Sequence, residues 1–330
     1  MAYSKLDTVT LSSGEQATIA RITAPDQEWA DRIVPFLGHK GRMGQWQIKE
    51  TLAGSIDQLE SHYYIAHIGI APITNVATWE YCRAGILGHV FTNPDHRKKG
   101  AARAVMARQM ADFRARGGRT LFLGTGFDTH PYHLYASFGF QSVYPESGFM
   151  QYYTDSQEEF EAAHYLPGAT RVRGLGWHDW AGLTVLGGAS ALPTIRMYST
   201  GLLGRRNFET PFIEFFYDLR NETRSDARVL EQVDTKSVVG LVYRTPDRRY
   251  NESVDLLDLM IHPNFADDAP SFAHAVSLRP GRKTQAYVGS DDPVRRASLE
   301  ALGFRDEAIL RHQINLHGKT IDVAIMAFDA

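Results

Sequence analysis

Asn93-Pro94-Asp95-His96-Arg97-Lys98-Lys99-Gly100-Ala101-Ala102-Arg103 is the stretch that decides how this chain folds. An apolar, strand-like run, Ile86 to Thr92, precedes it, and a helix-like run, Ala101 to Arg116, follows. A strand that ends at a proline and re-enters through a basic, glycine-containing turn leaves unpaired N–H groups at the start of the new helix. Those donors and the positive end of the helix dipole form an anion site, with phosphate the usual occupant. Gly100 lets the backbone approach such an anion, and Ala102 is small enough for close packing at the helix start. Arg97, Lys98, Lys99 and Arg103 add local positive charge.

Working outward, the first half reads as an α/β region. Ala17 to Ile22 predicts a short strand, and Trp29, Ile33 and Leu37 give Asp26 to Leu37 a helical spacing. Tyr63 to Ile70 and Val76 to Tyr81 predict strands around a turn at Ala71-Pro72-Ile73-Thr74-Asn75, and Ala84 to Thr92 follows at once. Three strands so close in sequence imply an antiparallel meander. Ala102, Val105, Met106, Met110 and Phe113 lie on one helical face that Gly117-Gly118 stops. Thr120 to Leu123 predicts a buried strand, Tyr132 to Phe138 a short helix closed by Gly139, and Phe149 to Tyr153 a last strand.

Residues 156–169 are acidic and polar, end in Pro167-Gly168, and read as a linker between a domain at 1–155 and another at 170–330. Beyond it the order of elements restarts. Thr170 to Leu175 is strand-like, Phe212 to Leu219 helix-like, and Arg228 to Val233, Ser237 to Arg244 and Val254 to Ile261 form another meander. Ile261-His262-Pro263 echoes Thr92-Asn93-Pro94, and Leu299-Glu300-Ala301-Leu302-Gly303-Phe304 echoes Tyr135-Ala136-Ser137-Phe138-Gly139-Phe140. Two echoes in the same order, one domain apart, imply an internal duplication.

The segment Val90-Phe91-Thr92-Asn93-Pro94-Asp95-His96-Arg97-Lys98-Lys99-Gly100-Ala101-Ala102 resembles the strand–loop–helix signature of the GNAT superfamily of acyl-CoA-dependent N-acetyltransferases, with Arg97, Gly100 and Ala102 at its Arg/Gln-x-x-Gly-x-Gly/Ala core. Tyr132-His133-Leu134-Tyr135-Ala136-Ser137-Phe138-Gly139-Phe140 is similar to that family's Tyr-x-x-x-Gly-Phe helix, at the matching distance. The resemblance implies two GNAT-like domains, each a mixed, mostly antiparallel twisted sheet flanked by helices. It implies acetyl-CoA as co-substrate, its pantetheine arm along Val90, Phe91 and Thr92. Its pyrophosphate would lie on the amides of the Arg97, Lys98, Lys99, Gly100, Ala101, Ala102 and Arg103 loop. Tyr132 and Tyr135 would contact the cofactor, and the Tyr135 hydroxyl would protonate the leaving thiolate. A phenol with an ordinary pKa of about 10 carries that proton at neutral pH. Asp128 stands where the family often has a pantetheine-contacting asparagine, a departure from the pattern.

An ammonium acceptor must lose a proton before it attacks, and the family often places a carboxylate or histidine for this on the strand before the loop. The matching positions here are Ile86 and Gly88, so the candidates are His89 beside them, which strand alternation turns to the other side of the sheet, and Glu80 on the neighbouring strand. His130 and His133 have the i, i+3 spacing of metal ligands, but Pro131 lies between them and no third ligand follows, so no metal is expected. In the second half, Asn264-Phe265-Ala266-Asp267-Asp268-Ala269-Pro270 has no arginine or glycine and carries two carboxylates, and Leu299 replaces Tyr135. An acidic loop repels pyrophosphate. The second domain therefore reads as a degenerate copy kept for structure, substrate binding or dimerisation, its Trp177, Trp180, Phe215, Phe216 and Tyr217 serving as core.

Bulk properties are compatible with this reading. The 330 residues allow two domains. Hydrophobic and charged contents of 43% and 22% are ordinary for a globular chain. A net charge of −3 gives no global attraction to nucleic acid or anionic membrane. Cys82, the sole cysteine, excludes an intrachain disulfide and a Cys-based metal site and reads as a buried thiol. Met1 to Asp7 has no apolar signal core, and Leu183 to Ile195 is too short and too rich in glycine to span a bilayer. The expectation is a cytoplasmic protein that moves an acetyl group to an amine, on a small molecule or a peptide, as a monomer or homodimer. The rival reading is an acyl-CoA-binding sensor or scaffold without turnover.

Overall fold

The computed structural model describes residues 2–221 and 224–329. The chain forms two compact units, Met1–Phe160 with Gly176–Thr184, and Glu161–Leu175 with Val185–Ala330. In the first unit the order is β1 (Tyr3–Thr10), β2 (Gln16–Thr23), α1 (Gln27–Phe36), α2 (Arg42–Ala53), β3 (Glu60–Ile68), β4 (Ala71–Tyr81), β5 (Ala84–Thr92), α3 (Ala101–Ala115), β6 (Thr120–Gly124), α4 (His130–Ala136), β7 (Gln141–Ser142) and β8 (Phe149–Tyr153). The sheet runs β1-β2-β3-β4-β5-β6-β8-β7. Every pairing is antiparallel except β5 with β6, which the α3 crossover joins in parallel.

Local chemistry accounts for the elements. Asp26 caps α1 by accepting the Trp29 N–H. Cys82 and Arg83, at φ 50° and 65°, form the two-residue turn that sets the β4–β5 register, with Cys82 half-buried rather than fully buried. Val105, Met106, Met110 and Phe113 of α3 pack on Tyr64, Val76, Leu87 and Leu121 from one sheet face. Burial of this stripe holds the helix that begins at the Gly100 turn.

Three sequence expectations change. The stretch at Ala71 to Asn75, read as a turn, is the start of β4; the reversal falls at Gly69-Ile70, where Gly69 has φ 58°. Strand β1 and helix α2 were not anticipated, because β1 mixes polar and apolar residues and α2 buries Gln47 and Thr51 instead of a purely apolar stripe. The expected linker contains α5 (Gln157–His164), opened by a reciprocal cap between Ser156 and Glu159.

The second unit continues with β9 (Thr170–Gly174), α6 (Asp179–Gly188, whose first residues group with the first unit), β10 (Ile195–Met197), β11 (Leu202–Leu203), α7 (Glu209–Asn221), β12 (Asp226–Gln232), β13 (Val238–Pro246), β14 (Asp255–Ile261), α8 (Ala269–Ala273), β15 (Thr284–Gly289), α9 (Pro293–Ala301), β16 (Arg305–Leu316) and β17 (Lys319–Phe328). Its sheet runs β9-β12-β13-β14-β15-β17-β16, with β14 and β15 the parallel pair. That is the order and orientation of β2-β3-β4-β5-β6-β8-β7.

The echoes seen in the sequence have the same geometry in both units. Gly139 and Gly303 adopt φ 92° and 91°. Phe140 N–H reaches Tyr135 O and Gly139 N–H reaches Ala136 O; Phe304 and Gly303 bond Leu299 O and Glu300 O in the same pattern. This is the helix stop in which a left-handed glycine satisfies the last carbonyls. One difference is decisive for the second unit. Its parallel strands pair only at Asp255–Thr284 and Leu256–Gln285, and β10 packs on β14 and β15 beyond them. The Arg295 guanidinium donates to Ile195 O at 2.6 Å, and Asp258 accepts the Tyr198 and Ser199 N–H groups at 2.7 and 2.9 Å.

Candidate active site

The loop singled out in the sequence turns through two left-handed residues, Lys98 at φ 58° and Gly100 at φ 87°. Glycine adopts that conformation freely and lysine only at a cost. No side chain caps α3, which leaves the N–H groups of its first turn for a ligand. A Cβ on Gly100 would meet no atom within 4 Å, so the space in front of the turn is clear.

That space is one end of a cleft of about 710 Å³ lined by Val90, Phe91, Thr92, His96, Arg97, Lys98, Gly100, Ala101, Ala102, Arg103, His130, Pro131, His133, Leu134 and Tyr135. Every ionisable lining side chain other than Tyr135 is basic, and none is a carboxylate. The other end is set by strand divergence. β5 pairs with β6 only through Ala84, Gly85 and Ile86, so from Leu87 to Thr92 its β6-side edge has no strand partner. Such an edge offers backbone donors and acceptors to an extended amide-bearing ligand.

A bulge sharpens this opening. His89 and Val90 together face Val76, and His89 has φ 49°. Val90 therefore packs toward the α3 core, while His89 turns to the opposite face. There its Nε2 lies 2.6 Å from Gln47 Oε1, and its ring sits edge-on to Trp79 at 5.0 Å. Gln47 Nε2 donates to Thr51 Oγ1, so the amide oxygen faces His89, which must carry its proton on Nε2.

Glu80 is elsewhere. Its carboxylate receives two hydrogen bonds from Arg116, at 2.7 and 2.9 Å, and one from Thr78. Glu60, His62 and Glu80 lie close enough to share a cation, but Arg116 reaches both carboxylates and supplies the charge. Glu80 is thus a clamped member of an ion-pair network and does not line the cleft.

Residues 65–143 match the model of a family described as an acetyltransferase (GNAT) domain. This segment belongs to a GNAT domain. Among solved structures, an N-acetyltransferase from Staphylococcus aureus Mu50 is 13% identical, with 49% of this chain and 99% of that chain covered and a TM-score of 0.38. A putative acetyltransferase from Salmonella typhimurium with acetyl-CoA is 17% identical over 49% and 94%, with a TM-score of 0.40. Spermidine N-acetyltransferase from Vibrio cholerae, in complex with CoA and spermine, is 19% identical over 48% and 95%, with a TM-score of 0.35. No curated protein matches the chain.

Within the GNAT domain, Tyr135 lines the cleft and is 7% exposed, its ring against Phe140. Three residues expected to contact the cofactor do not line it. Lys99 is drawn off by Glu15 at 3.1 Å, Asp128 pairs with His133 at 2.9 Å, and the Tyr132 hydroxyl bonds Ser142 at 2.9 Å. The cleft adds His96, His130, Pro131, His133 and Leu134 instead. The i, i+3 spacing of His130 and His133, first weighed for a metal, was the available signal for two basic groups on one helix face. Trp177 and Trp180 also move: they lie in the first unit, Trp177 against Trp46 and Trp180 against Trp79. No helix among the described residues is long and apolar enough to cross a membrane.

Burial, with Lys40 and His39 adding to it, pushes the His89 ring down to about 3. Burial holds His262, in the second unit, at about 4, with Glu161 opposing. Both groups start from 6.5, so between those values and 6.5 the unfolded chain binds more protons than the folded one. Stability is then complete above about pH 6.5 and falls as the pH falls. Tm is expected to decline from pH 6.5 toward 4.5, above the range in which most carboxylates titrate, and His89→Asn is expected to flatten that decline. Thermal scans with no slope in this window, or with an unchanged slope in the variant, would contradict the assignment.

Proposed function

We propose that the first unit transfers an acetyl group from acetyl-CoA to an amine by direct attack in a ternary complex. One observation carries this reading: the unpaired β5 edge and the uncapped, all-basic α3 entrance lie along a single cleft that also holds Tyr135. The residues fit the cofactor, because the space before Gly100 is open and the donors are those a pyrophosphate needs. Val90, Phe91 and Thr92 would align the pantetheine arm, while Arg97, Lys98, Arg103 and the Gly100 to Ala102 amides would hold the phosphates.

When bound, acetyl-CoA supplies the activated thioester. The amine nitrogen bonds to the acetyl carbon, the carbon–sulfur bond breaks, and Tyr135 gives its hydroxyl proton to the departing sulfur; the surplus proton on the new amide nitrogen leaves to solvent, and solvent returns one to the Tyr135 phenolate. An amine that arrives as ammonium first gives up a proton to solvent. His89 does not line the cleft, and burial keeps its ring neutral, so it is not assigned the amine's proton.

The second unit is proposed to be a diverged copy that binds no acyl-CoA. Its own β10 lies where its parallel strands part, its loop is acidic, and Leu299 replaces the acid. Calorimetry is expected to show one acetyl-CoA per chain, and a mixed amine panel is expected to release free CoA thiol. Two sites per chain would contradict the loss in the second unit. Binding without thiol release would favour an acyl-CoA sensor over an enzyme.

A further inference from the structure

The second unit buries a positive charge that its own side chains do not balance. Arg196, on β10, is 3% exposed. Its Nη2 donates to Ala189 O at 3.1 Å and its Nε to Gly204 O at 3.4 Å, while Nη1, equally buried, has no hydrogen-bond partner among the described residues. No carboxylate among those residues forms an ion pair with it. The nearby acids are engaged elsewhere. Asp292 holds the other buried guanidinium, with Oδ2 3.0 Å from Arg295 Nε, and its Oδ1 accepts the Arg295 N–H at the start of α9. Asp291 accepts the Thr194 N–H and hydroxyl through Oδ2, and its Oδ1 makes no hydrogen bond either, so the two unpartnered groups do not meet. Arg196, Arg295 and Asp292 line, with Leu192, Pro193 and Leu259, a cavity of about 10 Å³. That is roughly the room of one water-sized sphere. Burial, with Arg205 and Arg295 adding to it, brings the Arg196 guanidinium down to about 9, which leaves it charged at neutral pH.

We propose that the cavity beside Arg196 binds a single halide ion, chloride in ordinary media. A buried charge is tolerated when it is paired, and a guanidinium does not shed its proton to escape the cost. The N–H groups of Nη1 donate to the ion, Arg295 adds a second positive charge beside it, and the walls of Leu192, Pro193 and Leu259 strengthen the attraction by excluding water. A carboxylate or a phosphate is too large for the space. A water molecule in the same place satisfies the N–H groups but leaves the charge uncompensated. Because β10 packs on β14 and β15, the ion also pins β10 in the opening between those strands. The site lies wholly within the second unit and does not depend on the transferase reading.

Bromide is the probe, since it substitutes for chloride and scatters anomalously. In crystals of the full chain grown in sodium bromide, an anomalous peak is expected in contact with Arg196 Nη1. In solution, urea unfolding is followed at equal ionic strength in sodium chloride and in sodium gluconate, whose anion cannot enter the cavity. Chloride at ten times its Kd is expected to raise the folded-to-unfolded ratio about elevenfold over gluconate. Arg196→Met removes the charge and keeps an apolar stem. It is expected to erase the difference between the two salts and to be at least as stable as the parent in gluconate, where the parent's charge is unpaired. A crystal with no bromide at Arg196 overturns the proposal, as does a chloride effect of the same size in the Arg196→Met protein. The bromide crystal needs only the parent protein, so it decides the matter even if the variant does not fold.

Discussion

Gly100→Glu is expected to abolish acetyl-CoA binding while leaving the fold intact. At φ 87° the residue sits where a side chain is strained, yet a Cβ there touches nothing within the protein. The strain is on the order of 1 kcal/mol, too small to unfold a domain of this size. The carboxylate, by contrast, would enter the space proposed for the pyrophosphate, among N–H groups that point at it. Two like charges at 4 Å repel by about 4 kcal/mol at an effective dielectric near 20, so affinity should fall by roughly a thousandfold before any steric effect. Gly100→Asn separates the causes, since asparagine tolerates the left-handed region and brings no charge. It is expected to lose much less. Equal affinities for parent and glutamate proteins by calorimetry would place the cofactor elsewhere.

Tyr135→Phe is expected to lower kcat by about 10²- to 10⁴-fold, the range for a positioned acid, with acetyl-CoA affinity nearly constant. The ring packs against Phe140 and in the core of the first unit, and phenylalanine preserves that packing. Removing an interaction made only in the transition state depresses turnover without weakening ground-state binding. If Tyr135 served packing alone, the variant would keep its turnover. Normal kcat across the pH range would assign the proton to water or another group.

What could be read in the sequence divides along physical lines. Strand β5 and helix α3 were legible because an apolar run, a proline and a glycine turn each act within a few residues. The matching strand orders of the two units were foreshadowed by His262-Pro263 and Gly303-Phe304, local stops that the fold reuses. The orientation of His89 depended on a one-residue bulge, which no periodicity reveals. Glu80 was offered as a base because its strand position is adjacent, but the partner that clamps it, Arg116, is 36 residues away. The occupancy of the second unit's strand opening by β10 was equally hidden, since three short residues between glycine-rich and polar segments carry no pattern. Lys99, Asp128 and Tyr132 have protein partners, Glu15, His133 and Ser142, that short-range sequence patterns do not indicate.

The most direct test of the central claim is a crystal structure grown with acetyl-CoA. The pyrophosphate is expected on the amides of Lys98 to Ala102, the pantetheine along the β5 edge from Leu87 to Thr92, and the thioester sulfur within hydrogen-bond reach of the Tyr135 hydroxyl. No cofactor is expected beside β10 in the second unit. Cofactor density at the Asn264 to Ala269 loop, or its absence from the Val90 to Arg103 cleft, would contradict the account.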